Sequence, residues 1–463
     1  MNRKRGLPNR PARALIGGCV FALAATLAAC GGSGQDEAAR SKTLKVSYQL
    51  FGGTVAIDEF FKDVERQFER AHPDVTVELV PVAAEGNDYF TKLNLMRGAP
   101  ATAPDVVYQD TFQINSDVEA GYLLPLDEYV ADWQDWKQYE GSTDAVRSKD
   151  GTIYGVPTGT DTRALWYNKQ LLRSSGVELP WRPKDWDEVL AAARAVRKAH
   201  PDAIPLNVYA GSAAGEVTSM QGLEMLLYGT DDELYDERSG RWEGATPGLI
   251  DSFDFVRTVY SEGLGPRPND ALAPNIQSAV ASEMLPNGEL AIALDGSWLP
   301  IDWGEHGATP WPEWEQELGV APMPTQHGQD AGSISMSGGW SLAVSQTAPD
   351  PELAFEFVSL ALNRTNSRTF AIENNQLAIR DDVAQDPKYL RTNPTIGFFS
   401  DLIDVTRFRP AFPEYPRVSN GIQTAMESVM TGESTPEQAA REYELEVRDI
   451  VGDEAVRAGE AVR

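Results

Sequence analysis

The amino-acid sequence predicts an α/β fold with an open sheet, and three observations carry that class. Leu44, Val46, Tyr48 and Leu50 alternate as the inward face of a half-buried strand does. Ile57, Phe60, Phe61, Val64 and Phe68 then recur at helical spacing, and Val75, Val77 and Leu79 restore the alternation. Strand, helix and strand in succession form the unit from which open sheets grow, and such sheets take ligands at the carboxyl ends of their strands.

The remaining elements follow in order. His72-Pro73 ends the first helix, because proline lacks the N–H that would continue it. After a further helical stretch, Pro104-Asp105-Val106-Val107-Tyr108 is an apolar run of the kind found in buried parallel strands. A second unit of similar style starts near Ile153. It holds a helix from Trp186 to about Ala199, a long helical region from Glu216 to Tyr228, a helix from Leu249 to Glu262, and a strand from Leu290 to Leu294. Leu342 to Val344 is expected as a short strand and Pro351 to Leu362 as a helix. From Ile422 onward apolar and charged positions alternate as in amphipathic helices. The 463 residues suffice for two domains with proper cores.

The N-terminus has a different character. Arg3, Lys4, Arg5, Arg10 and Arg13 precede the almost wholly apolar run Leu15 to Ala29, the layout of a bacterial secretory signal. That run falls short of the ~20 residues a membrane-spanning helix needs. Leu27-Ala28-Ala29-Cys30-Gly31 resembles a lipobox, which implies that Cys30 becomes a lipid-carrying N-terminus tethered outside the cytoplasmic membrane. Gly31 to Lys42 is small and polar, as a flexible tether is.

Composition narrows the chemistry. The cysteines are Cys19, inside the leader, and Cys30, so the mature chain has no thiol for a disulfide, a metal or nucleophilic catalysis. Four histidines without an HExxH pattern give no metal site, and no cofactor is expected. The net charge is −29, or −34 once the leader's five basic residues are removed, which disfavours nucleic acid.

A series of short motifs runs the length of the body. These are Phe68-Glu69-Arg70-Ala71-His72-Pro73-Asp74-Val75, Ala103-Pro104-Asp105-Val106-Val107, Gly121-Tyr122-Leu123-Leu124-Pro125-Leu126 and Ile153-Tyr154-Gly155-Val156-Pro157. Leu165-Trp166-Tyr167-Asn168-Lys169, Asp295-Gly296-Ser297-Trp298, Ala321-Pro322-Met323-Pro324 and Gly338-Gly339-Trp340-Ser341-Leu342-Ala343-Val344 complete the series. In this order and spacing the chain resembles the extracellular solute-binding proteins of carbohydrate ABC importers, the maltose- and trehalose-binding group. The resemblance implies a two-lobed periplasmic-binding-protein-like fold of type II. Its lobes are joined by crossing strands, sugar is held in the cleft between them, and hinge closure is read by a membrane permease. The implied arrangement is a leader at 1–29 and a tether at 30–42, with one lobe from 43–158 and 301–362 and the other from 159–300 and 363–463. Crossings are expected near Val156 to Thr160 and near Trp298 to Trp303. A monomeric, non-enzymatic receptor is implied. Its partners are a neutral sugar, the transmembrane subunits of the permease, through them the cytoplasmic ATPase, and the membrane.

A sugar offers hydroxyls around its edge and a C–H-rich face. Its recognition calls for carboxylates, amides or guanidinium groups at the edge and a flat aromatic on the face. Asp110 directly follows its strand, where its carboxylate either accepts from sugar hydroxyls or caps the next helix; Gln109 stands beside it. Asp161, six residues before Tyr167, falls where the resemblance implies a sugar-contacting acid or amide, with a turn residue as the alternative. Arg163 either meets ligand or pairs with an acid. Trp298 is the stacking candidate, against an indole that only packs, and Trp303, Trp311 and Trp314 are either more aromatic wall or a packed loop. Gly338 and Gly339 permit close backbone approach, and Trp340 is core or platform. Arg409, in Arg409-Pro410-Ala411, matches an arginine that reaches the sugar in trehalose-binding actinobacterial relatives; ion pairing is its alternative role. Gln49, Gly52 and Gly53 end the first strand and are expected to line the cleft, with Glu216 and Gln277 as edge contacts. Phe51-Gly52-Gly53 stands where those relatives carry an aspartate, which leaves open which sugar is bound.

An α-linked disaccharide of the trehalose or maltose kind is the expected ligand. Three rival readings remain. Asp110 and Asp161 would serve a glycosidase as its paired carboxylates, a sensory receptor uses the same fold, and glycerol-phosphate binders share some motifs.

Overall fold

The computed structural model describes residues 42–51, 55–84, 87–305 and 307–459. The leader, Cys30, the tether up to residue 41, and Gly52 and Gly53 lie outside the described residues. The strands of the two main sheets are, in chain order, β1 (Lys42–Leu50), β2 (Val75–Ala83), β3 (Val106–Asp110), β4 (Val156–Thr160), β5 (Arg163–Asn168), β6 (Ile204–Asn207), β7 (Leu290–Gly296), β8 (Leu318–Ala321) and β9 (Gly339–Val344).

The first sheet runs β2-β1-β3-β9-β4. β1 is parallel to β2 and β3, whereas β9 enters antiparallel between β3 and β4. The helix Ala56–Ala71 covers it with Ile57, Phe60, Phe61, Val64 and Phe68, the residues the periodicity picks out. The backbone N–H of His72 bonds back to Phe68, and Pro73 stops the helix there. Each buried phenylalanine is worth ~1.5–3 kcal/mol, so this one face supplies much of the cohesion of the first core. The second sheet runs β8-β5-β7-β6, with β5 antiparallel to both neighbours and β6 parallel to β7. Its flanking helices start at explicit caps. Asp185 accepts from the Glu188 N–H ahead of Trp186–Ala199, and Thr246 accepts from the Leu249 N–H ahead of Pro247–Ser261.

The two cores are separate, and the chain passes between them more than once. β4 of the first sheet leads through Asp161 and Thr162 into β5 of the second, where the first crossing was expected. The expected second crossing, at Trp298 to Trp303, is corrected. Leu299 and Trp303 stay in the second core beside Trp166, β8 pairs with β5, and Met323, Ile334 and Met336 are buried in the same lobe, so this stretch builds onto the second lobe. The chain returns at Ser337 and Gly338, directly before β9. The expectation that 363 onward belongs wholly to the second lobe is corrected as well. Helix Arg364–Glu373 packs on Ala56–Ala71, with the Phe370 ring 4.9 Å from Phe60, and the chain meets the second core at Leu377 and again around Phe399. Short edge strands and return points depend on partners hundreds of residues away, so local periodicity does not mark them. Helices Tyr415–Thr431 and Pro436–Val451 then close the second core.

One element departs from the expected regular form, and one open alternative is decided. The helical region at Glu216–Tyr228 is largely a π-helical segment, Thr218–Glu224, every residue of which is buried. Trp303, Trp311 and Trp314 are a packed loop: the Trp303 indole donates to the Ala281 carbonyl at 2.7 Å and meets Trp166 edge-on. Among the described residues no helix is long and apolar enough to cross a membrane.

Candidate functional site

The two sheets direct their loops into one cleft with a cavity volume of about 200 Å³. The first lobe contributes Gln49 at the end of β1, Tyr108 and Asp110 from β3, and Gly339 and Trp340 from β9. The second contributes Arg163 from β5, Glu216 just before the π-helical segment and Met220 within it, Gln277, Trp298 after β7, and Arg409.

Strand alternation decides which β3 residues reach it. Tyr108 and Asp110 are two apart and share a face; Gln109 points the other way. Gln109 is therefore corrected as a site residue. It is fully buried behind the sheet, accepting from Arg97 at 3.0 Å and donating to Asp117 at 2.5 Å. β9 lays Trp340 opposite Asp110, and the Trp340 indole stacks on Tyr108 with centroids 4.6 Å apart and planes at 11°. Phe51 and Phe90 complete this aromatic wall, edge-on and offset-stacked against Trp340. Trp340 is thus half-buried, packed on one side and part of the cleft surface on another.

Two arginines organise the polar part. Arg409 donates to Asp110 at 2.8 Å and to Glu216 at 3.2 Å, joining the lobes through one guanidinium, which lies 4.6 Å from the Phe112 ring. Asp110 takes the capping role foreseen as its alternative, because the same oxygen also accepts from the Phe112 N–H at 3.2 Å, and it lines the cleft as well. Burial works against the Arg409 charge, but Asp110 and Glu216 outweigh it and hold the guanidinium above its ordinary value. Arg163 donates to Asp161 and, at 3.1 Å, to the Met336 carbonyl, while its guanidinium carbon sits 4.8 Å from the centroid of Trp298. Burial pulls Arg163 below its ordinary value, against the pull of Asp161.

The glycines explain the closeness of these groups. The Gly338 N–H donates to Asp161 at 3.0 Å, and an added Cβ there would lie 3.1 Å from Arg409 and 3.6 Å from Arg163. Gly338 thus sits under the two guanidiniums rather than in the cleft wall. Gly339, at φ +147°, adopts a backbone that other residues disfavour and brings β9 against Gly159.

Of the fourteen residues singled out from sequence, Gln49, Asp110, Asp161, Arg163, Glu216, Gln277, Trp298, Gly339, Trp340 and Arg409 line this one cleft. Gln49 is held by a 2.9 Å bond to the Ala84 carbonyl. Asp295 of the Asp295-Gly296-Ser297-Trp298 motif lies beneath it, accepting from the Tyr209 hydroxyl at 2.6 Å and so steadying the turn that presents Trp298. Sequence reasoning missed Phe51, Phe90, Tyr108, Met220 and Gln376. Tyr108 was legible from its two-residue spacing to Asp110; Phe90, on a helix of the first lobe, carries no local signal. Convergent carboxylates and guanidiniums against flat aromatic rings make a cleft suited to a polar ligand with an apolar face.

Comparison with known proteins agrees with this architecture. A galactooligosaccharide-binding protein of Bacillus subtilis is 25% identical over 427 residues, which is 90% of this chain and 92% of the relative. An ABC transporter solute-binding protein from Thermotoga lettingae, solved with α-D-tagatose, superposes with a TM-score of 0.76 at 25% identity, over 89% of this chain and 100% of that one. The maltose-bound MalE3 of T. maritima gives a TM-score of 0.74 at 21% identity, over 88% and 100%. Residues 53–366 match the family of bacterial extracellular solute-binding proteins, and the chain belongs to that family.

Proposed function

We propose that this protein is the substrate receptor of an ABC sugar importer, capturing a neutral oligosaccharide between its lobes and delivering it to the permease. An α-linked disaccharide of the trehalose or maltose kind is the specific ligand we infer. The observation that carries the reading is the pairing, in one cleft, of the Asp110–Arg409–Glu216 and Asp161–Arg163 groups with the Tyr108–Trp340 stack and Trp298. Fixed donors and acceptors meet the hydroxyl edge of a sugar, and the rings meet its C–H face. The oligosaccharide-binding name of the Bacillus subtilis relative supports the substrate class. Asp110 and Asp161 are each engaged by an arginine, an arrangement that suits ligand positioning better than the proton transfer a glycosidase asks of its acid.

The direct test is a thermal-shift screen of the protein against sugars and sugar phosphates, followed by calorimetric titration and assay for turnover. A ligand that binds only the folded state raises the melting temperature. A shift with an α-glucoside that is recovered intact supports the receptor. No shift with any sugar overturns it, and hydrolysis of the ligand transfers the assignment to an enzyme.

The lipobox-like sequence at Cys30 supports a lipid anchor on the extracytoplasmic face. Cys30→Ser, expressed in a bacterial host, is expected to move the protein from the membrane fraction to the soluble fraction. Retention in the membrane fraction would remove the anchor from this reading.

A further inference from the structure

From Glu216 in the cleft wall a buried chain of oxygens leads back into the second lobe. Tyr415, at the start of helix Tyr415–Thr431, places its hydroxyl 2.7 Å from Glu216 Oε1 and 2.6 Å from Glu224 Oε1. Glu224 is the last residue of the π-helical segment and is fully buried. A phenol carries one proton. Two oxygen–oxygen contacts this short each need a proton of their own, so one of the two carboxyl groups supplies the second.

The surroundings say which one. Glu216 accepts from Arg409 at 3.2 Å and from the Ser419 hydroxyl at 2.6 Å, partners that only an ionised carboxylate uses fully. Glu224 has no cation in contact among the described residues, and its Oε2 is buried without a hydrogen-bond partner. An unpartnered oxygen is far less costly on a neutral acid than on a carboxylate. We propose that Glu224 is a neutral carboxylic acid that donates to Tyr415, so that Tyr415 donates to Glu216, and Glu216 holds Arg409 in place against Asp110. Glu224 is on this account a positioning residue, and loss of its proton is a switch that slackens the cleft.

The groups that face it are consistent with this. Glu216 lies in front with Arg409 and Arg163 beyond, Tyr415 stands between the two acids, and Tyr228 and Tyr443 approach from behind. Burial and then the neighbouring Glu216 push Glu224 up to about 8. The sign follows from linkage. The folded state keeps a proton that the unfolded chain loses, so this contribution to stability is complete below about pH 4.5 and is lost as pH rises through about 8. The link from Glu224 to ligand affinity rests on the sugar reading; its protonation does not.

The test uses the full-length protein. Infrared spectra near neutral pH are expected to contain a protonated-acid carbonyl band that is absent from Glu224→Gln and that titrates away in the wild type above about pH 8. Melting temperature is expected to fall with rising pH more steeply in the wild type than in Glu224→Gln, whose amide retains an N–H donor for Tyr415. Maltose affinity is expected to weaken several-fold above pH 8 in the wild type and to stay flat in the variant. An acid band that survives the substitution, or parallel melting curves, overturns the proposal. Should Glu224→Gln fail to fold, the wild-type titration decides alone: no acid band lost near pH 8 overturns it. If every sugar fails to shift the melting temperature, the sugar reading falls while the band still decides the state of Glu224.

Discussion

At the scale of single residues, the cleft is built from side chains that each hold a second partner. Trp298 is the clearest case. One contact of its indole is the Arg163 guanidinium, 4.8 Å from the ring centroid, so this cleft-lining ring also steadies the cation that holds Asp161. Trp298→Ala is expected to weaken sugar binding by ~1–3 kcal/mol while leaving the circular dichroism spectrum unchanged. Calorimetric titration checks this, and unchanged affinity would return Trp298 to a packing role. Gln109 teaches the opposite lesson. It neighbours Asp110 in sequence, yet it serves a buried cluster with Arg97 and Asp117, because successive strand residues face opposite ways.

At the scale of elements, presentation depends on the turns at strand ends. β7 ends at Gly296, and Trp298 folds back over it so closely that an added Cβ would overlap the indole. Gly296→Ala is therefore expected to displace the ring and lower affinity at least as much as it lowers stability. Parallel titration and urea unfolding separate the two effects; a loss of stability alone would mean that the ring finds the same place by another route. The π-helical segment acts in a related way. Its wider turn puts Met220 and Gln221 on the cleft wall and Glu224 behind it, which a regular helix would space differently.

At the scale of the whole molecule, Arg409 joins the lobes, reaching Asp110 of the first from the second. Breaking a buried pair by removing one member leaves uncompensated charge and costs ~3–5 kcal/mol. Arg409→Ala strands both Asp110 and Glu216, so a loss of that size in urea unfolding is expected, together with loss of sugar binding. A stability change below ~1 kcal/mol would mean that the two acids find water or a proton instead.

Local pattern determined the α/β class, the first helix and its end at Pro73 and the helix Trp186–Ala199, and the resemblance to solute-binding proteins supplied the first crossing at Val156–Thr160 and most of the candidate cleft residues. These follow from periodicity over a few residues and from motifs whose order survives in the chain. Only the tertiary structure decided that Leu318–Ala321 joins the second sheet, that Phe51, Phe90 and Tyr108 join Trp340 in one wall, and that Tyr415 links two glutamates behind Arg409. Each of those rests on contacts between residues far apart in the chain. Their geometry is set by register and by closure of long loops, which no local window contains.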